Sequence, residues 1–329
     1  MHRRPLLACA LVVLASLAAT PSPAQDAWPS KPIRLIVDGP AGGINDIWGR
    51  RYAQRVGEAL GQPIVVDNRP GASGTIAAEA LVKAAPDGYT LFYGGMNPLV
   101  AYPGAGGAIR YDPAKDVQPI ALGTIGYPLL VVGSGFGAKT LADVVARAKA
   151  RPANDELTCG TGGHASVGHF ACIQFARAAG FRLRAVHYKG GSLAAADAAA
   201  GQIHLSSGFS SELEPLTAPG RAIAIGLYGP NRLPKFPDTP TMTEAGYPNI
   251  DLPSFSGFFA PAGTPAPIVA RLNAEFVRAM QRPEMTQWIQ GAGGVWMPMS
   301  VEAFATMYRR ERENWKRMSD ESGIRVESQ

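Results

Sequence analysis

The chain has 329 residues and a formal net charge of +5, with 38 glycines, 28 prolines and only 17% charged residues. The weak positive bias is dispersed rather than clustered among stacking aromatics, which excludes a nucleic-acid-binding protein. The length exceeds one ordinary core and suits two domains rich in tight turns.

In chain order, Met1–Ala24 reads as a secretion signal. His2, Arg3 and Arg4 form a basic start, Leu6–Ala19 is apolar, and Ser22-Pro23-Ala24 supplies small residues for cleavage before Gln25. The apolar stretch is shorter than the roughly 20 residues a membrane span needs. The expected product is an exported, soluble chain of about 300 residues.

Two strand-to-helix junctions follow. Ile33–Val37 runs into Gly39-Pro40-Ala41-Gly42-Gly43-Ile44-Asn45-Asp46, and Ile64–Val66 runs into Asp67-Asn68-Arg69-Pro70-Gly71-Ala72-Ser73-Gly74. Such junctions leave amide N–H groups unpaired at the positive end of a helix, and glycine lets an anion approach them. The pair therefore reads as a main-chain site for a carboxylate. Asp46 has two readings, a helix cap or a ligand contact.

A third unit comprises helix Thr75–Ala84, the turn Pro86-Asp87-Gly88 and strand Thr90–Tyr93. Strands at Ile120–Leu122 and Leu129–Val132, helix Leu141–Ala150 and strand Leu157–Cys159 come next. The series continues with helix Ser166–Ala179, strand Arg184–Tyr188, helix Leu193–Ala200 and strand Ile203–Ser207. A short helix near Glu212–Thr217, strand Ile223–Leu227, strand Phe255–Ala260 and helices near Ala266–Met280 and Val301–Ser319 complete it. The basic residues of the last helix read as a solvated face over Phe304, Met307, Tyr308 and Trp315.

This alternation predicts an α/β protein with two mostly parallel sheets. Domain one is read as 26–124 plus 246–329 and domain two as 125–245, with the C-terminal helices returning to cover the first sheet. Two crossings then form a hinge, and the carboxyl ends of the strands face a cleft. Trp48, Tyr93, Met96, Asn97, Tyr102, Phe170 and Phe209 lie near those ends, and some of them should line it.

The turn Cys159-Gly160-Thr161-Gly162-Gly163-His164-Ala165-Ser166 loosely matches a dinucleotide fingerprint, but the acidic residue expected after the next strand is missing. It reads instead as a ligand-contacting turn of the second domain. Cys159 and Cys172 either pair across this turn or remain two buried thiols. No His-Glu-x-x-His or nucleophile elbow occurs. No metal, no cofactor and no catalysis is expected, and His169 and His187 read as structural.

Several segments, in order and spacing, resemble the Bug-type extracytoplasmic solute receptors of tripartite tricarboxylate transporters. They are Trp28–Val37, Pro40-Ala41-Gly42-Gly43 to Asp46, Asp67–Gly74, Pro86–Leu91, His187-Tyr188-Lys189-Gly190, Leu233-Pro234 to Pro240-Thr241, Glu244-Ala245-Gly246 and Ala260–Pro265. The resemblance implies a two-lobed periplasmic binding protein of type II, the Venus-flytrap form. Such a protein would hand a small carboxylate to membrane permease subunits; a monomer is the default expectation for this chain. Carried over, the first lobe offers Ala41, Gly42, Gly43, Ile44, Asn45 and Asp46, and the second Thr161, Gly162, Gly163 and Ser166. Trp48, Asn97, His164 and Phe209 join them as candidate ligand residues.

The chain departs from the family at Val37-Asp38-Gly39, at Trp48 and at Gly94–Pro98. With the Cys159–Cys172 pair, these features look more like receptors for aromatic dicarboxylates of the terephthalate or phthalate kind. An aliphatic di- or tricarboxylate is the alternative ligand, and a sensor feeding a membrane kinase the alternative role.

Overall fold

The structure, a computed structural model, describes residues 28–152 and 154–326. The expected signal segment lies outside the described residues. Among these, no helix is long and apolar enough to cross a membrane.

The apolar alternation along each strand decides the layering. In β1 (Ile33–Val37), Ile33, Leu35 and Val37 enter one core and Ile36 the other. β3 (Thr90–Gly95) repeats this, with Leu91 and Tyr93 on one face and Phe92 on the opposite one. Both faces of the sheet are thus apolar, as helices on both sides require.

The first sheet has the order β2-β1-β3-β10-β4, where β2 is Ile64–Asn68, β4 Val117–Gly126 and β10 Ser254–Pro261. Helix α1 (Ile44–Leu60) follows β1, and α2 (Thr75–Val82) follows β2. The second sheet has the order β7-β6-β8-β5-β9. Its strands are β5 (Leu129–Gly133), β6 (Leu157–Thr161), β7 (Leu183–His187), β8 (Leu205–Gly208) and β9 (Ala222–Leu227). Its helices are α3 (Leu141–Lys149), α4 (Val167–Ala179), α5 (Gly191–Ala199) and α6 (Ser210–Thr217). The molecule has two α/β lobes.

Each sheet is mixed. β10 pairs antiparallel with β3 and β4, and β5 pairs antiparallel with β8 and β9, while the remaining pairings are parallel. The reversed strand is in each case the first that the chain forms after crossing between sheets. β4 and β9 end at the cleft, so the next strand starts there and runs away from it. The two crossings touch, Tyr228 N–H donating to Pro128 O at 3.0 Å.

Three helices follow β10: α7 (Ala266–Met280), α8 (Pro283–Gly291) and α9 (Val301–Ser322). α8 was not foreseen; it opens at Arg282-Pro283, with proline at its first position, where its missing N–H costs nothing. The C-terminal helices do more than cover the first sheet. Trp315 of α9 packs edge-on against Phe170 of α4, with ring centroids 4.9 Å apart, so this helix joins both lobes. Its buried face carries Phe304, Met307, Tyr308 and Trp315.

Candidate ligand-binding cleft

Carboxyl ends of parallel strands from both sheets, with the amino end of β10, open on one cavity of about 280 Å³ between the lobes. Among the described residues four α-helices start at its wall, α1 from the first lobe and α4, α5 and α6 from the second, beside the π-helical turn Met96–Ala101.

The turn before α1 is held by its own side chains. Asp46, buried in the first turn of the helix, accepts from Gly42 N–H at 2.8 Å and from Asn68 Nδ2 at 2.9 Å, and pairs with Arg50 Nε at 2.9 Å. Burial would raise its pKa, but the hydrogen bonds from Arg50, Gly42 and Asn68 pull it below the ordinary aspartate value. Asp46 therefore ties the loop together. It is not the helix cap, which is Gly43, and it does not line the cavity. No side chain caps α1, so its first-turn amides are left for an external acceptor.

α4 begins similarly. Ser166 Oγ accepts from His169 N–H at 3.3 Å, which leaves the amides of Val167 and Gly168 at the cavity wall. A disulfide between Cys159 of β6 and Cys172 of α4 pins this helix to its strand. α5 and α6 differ, because Glu212 is wedged between their starts. It accepts from Phe209 N–H at 3.0 Å and from the Gly191 amide, and burial raises its pKa above the ordinary glutamate value.

Of the candidate residues, Ile44, Asn45, Trp48, Asn97, Gly162, Ser166 and Phe209 line the cavity. Ala41, Gly42, Gly43, Asp46, Thr161, Gly163 and His164 do not. Thr161 Oγ1 donates to Gly163 O at 3.1 Å and meets His187 Nδ1 at 2.9 Å, so it holds the turn from behind. Of the strand-end residues, Tyr93 and Met96 line the cavity, whereas Phe170 is buried against Trp315 and Tyr102 lies off the wall. Trp48 is buried in the wall and stacks obliquely on Trp288 of α8 at 4.4 Å.

Other lining residues were not anticipated. Asp38 accepts from Asn45 Nδ2 at 2.6 Å. Burial pushes its carboxyl up to about 6, offset in part by that hydrogen bond. Ala292-Gly293-Gly294 close the wall after α8, and Ser210 Oγ of the second lobe donates to Ala292 O at 3.0 Å. Gly293 has φ +77°, and a Cβ there would lie 2.1 Å from Ser210 Oγ, so only glycine lets the lobes meet here. Tyr93 Oη and Ser207 Oγ, one from each lobe, are buried at the cavity without a hydrogen-bond partner among the described residues. Among the described residues no lysine, arginine or histidine lines it.

A two-lobed cleft built from helix starts and buried hydroxyls is a binding device, and its relatives say which kind. Residues 49–324 match the profile of the Tripartite tricarboxylate transporter family receptor. The chain belongs to this family. A UPF0065 protein of Bordetella bronchiseptica is 34% identical over 322 residues, covering 97% of this chain and 94% of that protein. A Rhodopseudomonas palustris protein solved with adipate superposes with a TM-score of 0.81 at 30% identity, covering 91% of this chain and 99% of its own. MatC of the same organism, solved with malate, gives 0.79 at 29% identity, covering 89% and 100%. This tripartite transporter receptor is thus a solute-binding protein of a periplasmic receptor family, not an enzyme.

Proposed function

We propose that this receptor captures a small dicarboxylate between its lobes in the periplasm, after removal of residues 1–24, and delivers it to the permease subunits of its transporter as a monomer. The observation that carries this reading is the pair of open helix starts, α1 in one lobe and α4 in the other, on one cavity that no basic side chain among the described residues lines. Each can take one carboxylate through main-chain amides and the helix dipole. The unpaired hydroxyls of Tyr93 and Ser207 supply further donors. In this reading lobe one is 26–124 plus 246–329, and lobe two is 125–245.

The preferred ligand is an aromatic diacid such as terephthalate. Trp48, Tyr93, Phe209 and Phe255 line the space between the two helix starts, and flat rings offer contact area and stacking to a planar ligand. The relatives solved with malate and adipate support the dicarboxylate class. A ligand that touches both lobes stabilises the closed form by its differential affinity. Asp38 opposes an anion when charged, and its raised pKa removes that charge in mildly acidic solution.

The test is calorimetric titration of the refolded, ligand-free mature protein with terephthalate, isophthalate, phthalate, benzoate, citrate, malate and adipate. One-to-one binding of an aromatic diacid, recovered unchanged, is the expected result. Binding of aliphatic acids alone would discard the aromatic preference, and silence across the panel would discard the dicarboxylate reading.

A further inference from the structure

Beside the cleft, outside its lining, three histidines converge. His164 sits in the turn after β6, His169 in the first turn of α4 and His187 at the end of β7. The parallel pairing of β6 with β7 sets Thr161 opposite His187, which brings all three to one edge of the second sheet. Their ring centroids are 5.1 Å apart for His164 and His169, 4.9 Å for His164 and His187, and 4.6 Å for His169 and His187. A nitrogen from each lies within 4.8 Å of a nitrogen from the other two. No carboxylate belongs to the cluster, so nothing in it favours three mutually repelling imidazolium rings.

We propose that His164, His169 and His187 form a site for a divalent transition-metal ion of the zinc or nickel type. Neutral imidazoles are the ligands such ions select, and three of them leave a further position for water or an anionic oxygen. Zinc–nitrogen bonds of about 2.0–2.1 Å put tetrahedral donors roughly 3.4 Å apart, so loading draws the rings in by about 1 Å. His164 and His187 reach solvent and can turn, while buried His169 is the anchor.

The surrounding hydrogen bonds suit His187 best. Thr161 Oγ1 gives its proton to Gly163 O and so accepts from His187 Nδ1–H. This leaves the Nε2 lone pair of His187 for the metal, oriented by a partner behind the ring. His169 contributes at a cost, because its Nδ1 accepts from Ala165 N–H at 3.1 Å. A ring that ligates through Nε2 carries its proton on Nδ1 and gives up that bond. The site is therefore weaker than a closed structural zinc site.

In the sequence only His164-x4-His169 has a zinc-type spacing, with no cysteine pair to complete it, and His187 joins them only through the pairing of β6 with β7. The proposal does not depend on the identity of the carboxylate. The test is titration of ZnCl2, and separately NiCl2, into the untagged mature protein after chelator treatment, followed by calorimetry and thermal melting. One ion per chain is expected, with a rise in melting temperature at saturation. His164→Ala and His187→Ala should each weaken binding at least 10-fold, whereas His204→Ala, remote from the cluster, should leave it within 2-fold. Absence of a one-to-one site below about 1 mM, or unchanged affinity in the His164→Ala/His187→Ala double variant, would overturn the site. Neither variant disturbs a core residue, so loss of binding with an unchanged melt in the absence of metal reads as loss of ligands.

Discussion

Among the described residues four α-helices begin at the cleft, and they divide into two pairs. The starts of α5 and α6 are occupied from within by Glu212, which accepts from Phe209 N–H and the Gly191 amide. At the start of α1 the internal anion, Asp46, accepts from Gly42 N–H in the loop ahead of the helix and not from the first-turn amides. Gly43 caps that helix without a side-chain bond, and at α4 Ser166 Oγ accepts only from the His169 amide. All four have the same backbone physics of unpaired amides and a positive dipole end. The difference teaches that a helix start serves a ligand only where the chain has not filled it already. Under the proposed function, one open end in each lobe would make closure depend on a molecule that spans both.

The largest effect should come from filling an open end. Gly43→Val places its Cβ 3.0 Å from Pro40 O and crowds the start of α1. Carboxylate affinity should fall by about 30–100-fold, or roughly 2–3 kcal/mol, by calorimetry on a variant whose circular dichroism is native. Unchanged affinity would remove α1 from the site.

Next comes the wall between the open ends. Trp48→Ala should weaken terephthalate binding by about 10-fold and adipate by less than about 3-fold, since only the flat ring loses a stacking face. The same variant should lose about 3–5 kcal/mol of folding stability in urea, because Trp48 is buried against Trp288. Equal losses for the two ligands would take Trp48 out of specificity.

The Asp38 carboxyl gives a smaller, pH-dependent effect. Its pKa is raised to about 6, so it is neutral below that pH and charged above. Dicarboxylate affinity should therefore fall by about 10-fold between pH 5 and pH 8, and Asp38→Asn should flatten the profile. The stabilisation from the raised pKa is present below the unfolded value near 3.8 and is lost as pH rises through about 6. At pH 8 the ligand-free Asn variant should be the more stable by roughly 1–3 kcal/mol in denaturant titrations, and an equal or lower stability would contradict the raised pKa.

The smallest effect tests the filled pair. Glu212→Gln keeps an acceptor but removes a charge that burial disfavours, so the ligand-free protein should lose no stability at pH 8 and dicarboxylate affinity should change by less than about 3-fold. A large loss of affinity would place Glu212 with the ligand and dissolve the distinction between the pairs.

Part of this site was legible along the chain. The glycine-rich junction before α1 and the turn before α4 follow apolar strands directly, so Ile44, Asn45, Gly162 and Ser166 could be found by local rules. Asp46 shows the limit of those rules. Its place in the first helical turn and its i,i+4 pairing with Arg50 follow from helical spacing, but its bond to Asn68 of the second junction depends on the parallel pairing of β1 with β2. Ala292–Gly294 and Ser210 were missed because their contact joins segments about 80 residues apart, and no sequence period records it. Asp38 stood out as a departure from the family, yet its raised pKa follows from desolvation in the folded wall.

By itself the sequence determined the alternation of strands and helices, the apolar faces of both sheets and the glycine-rich turns, because these rest on backbone sterics and on periods of 2 and 3.6 residues. The tertiary structure alone decided which strand in each sheet runs backwards, which helix starts are filled by Glu212, and which histidines meet. Those outcomes depend on where the chain crosses between lobes and on burial and distance in space, quantities that neighbours along the chain do not carry.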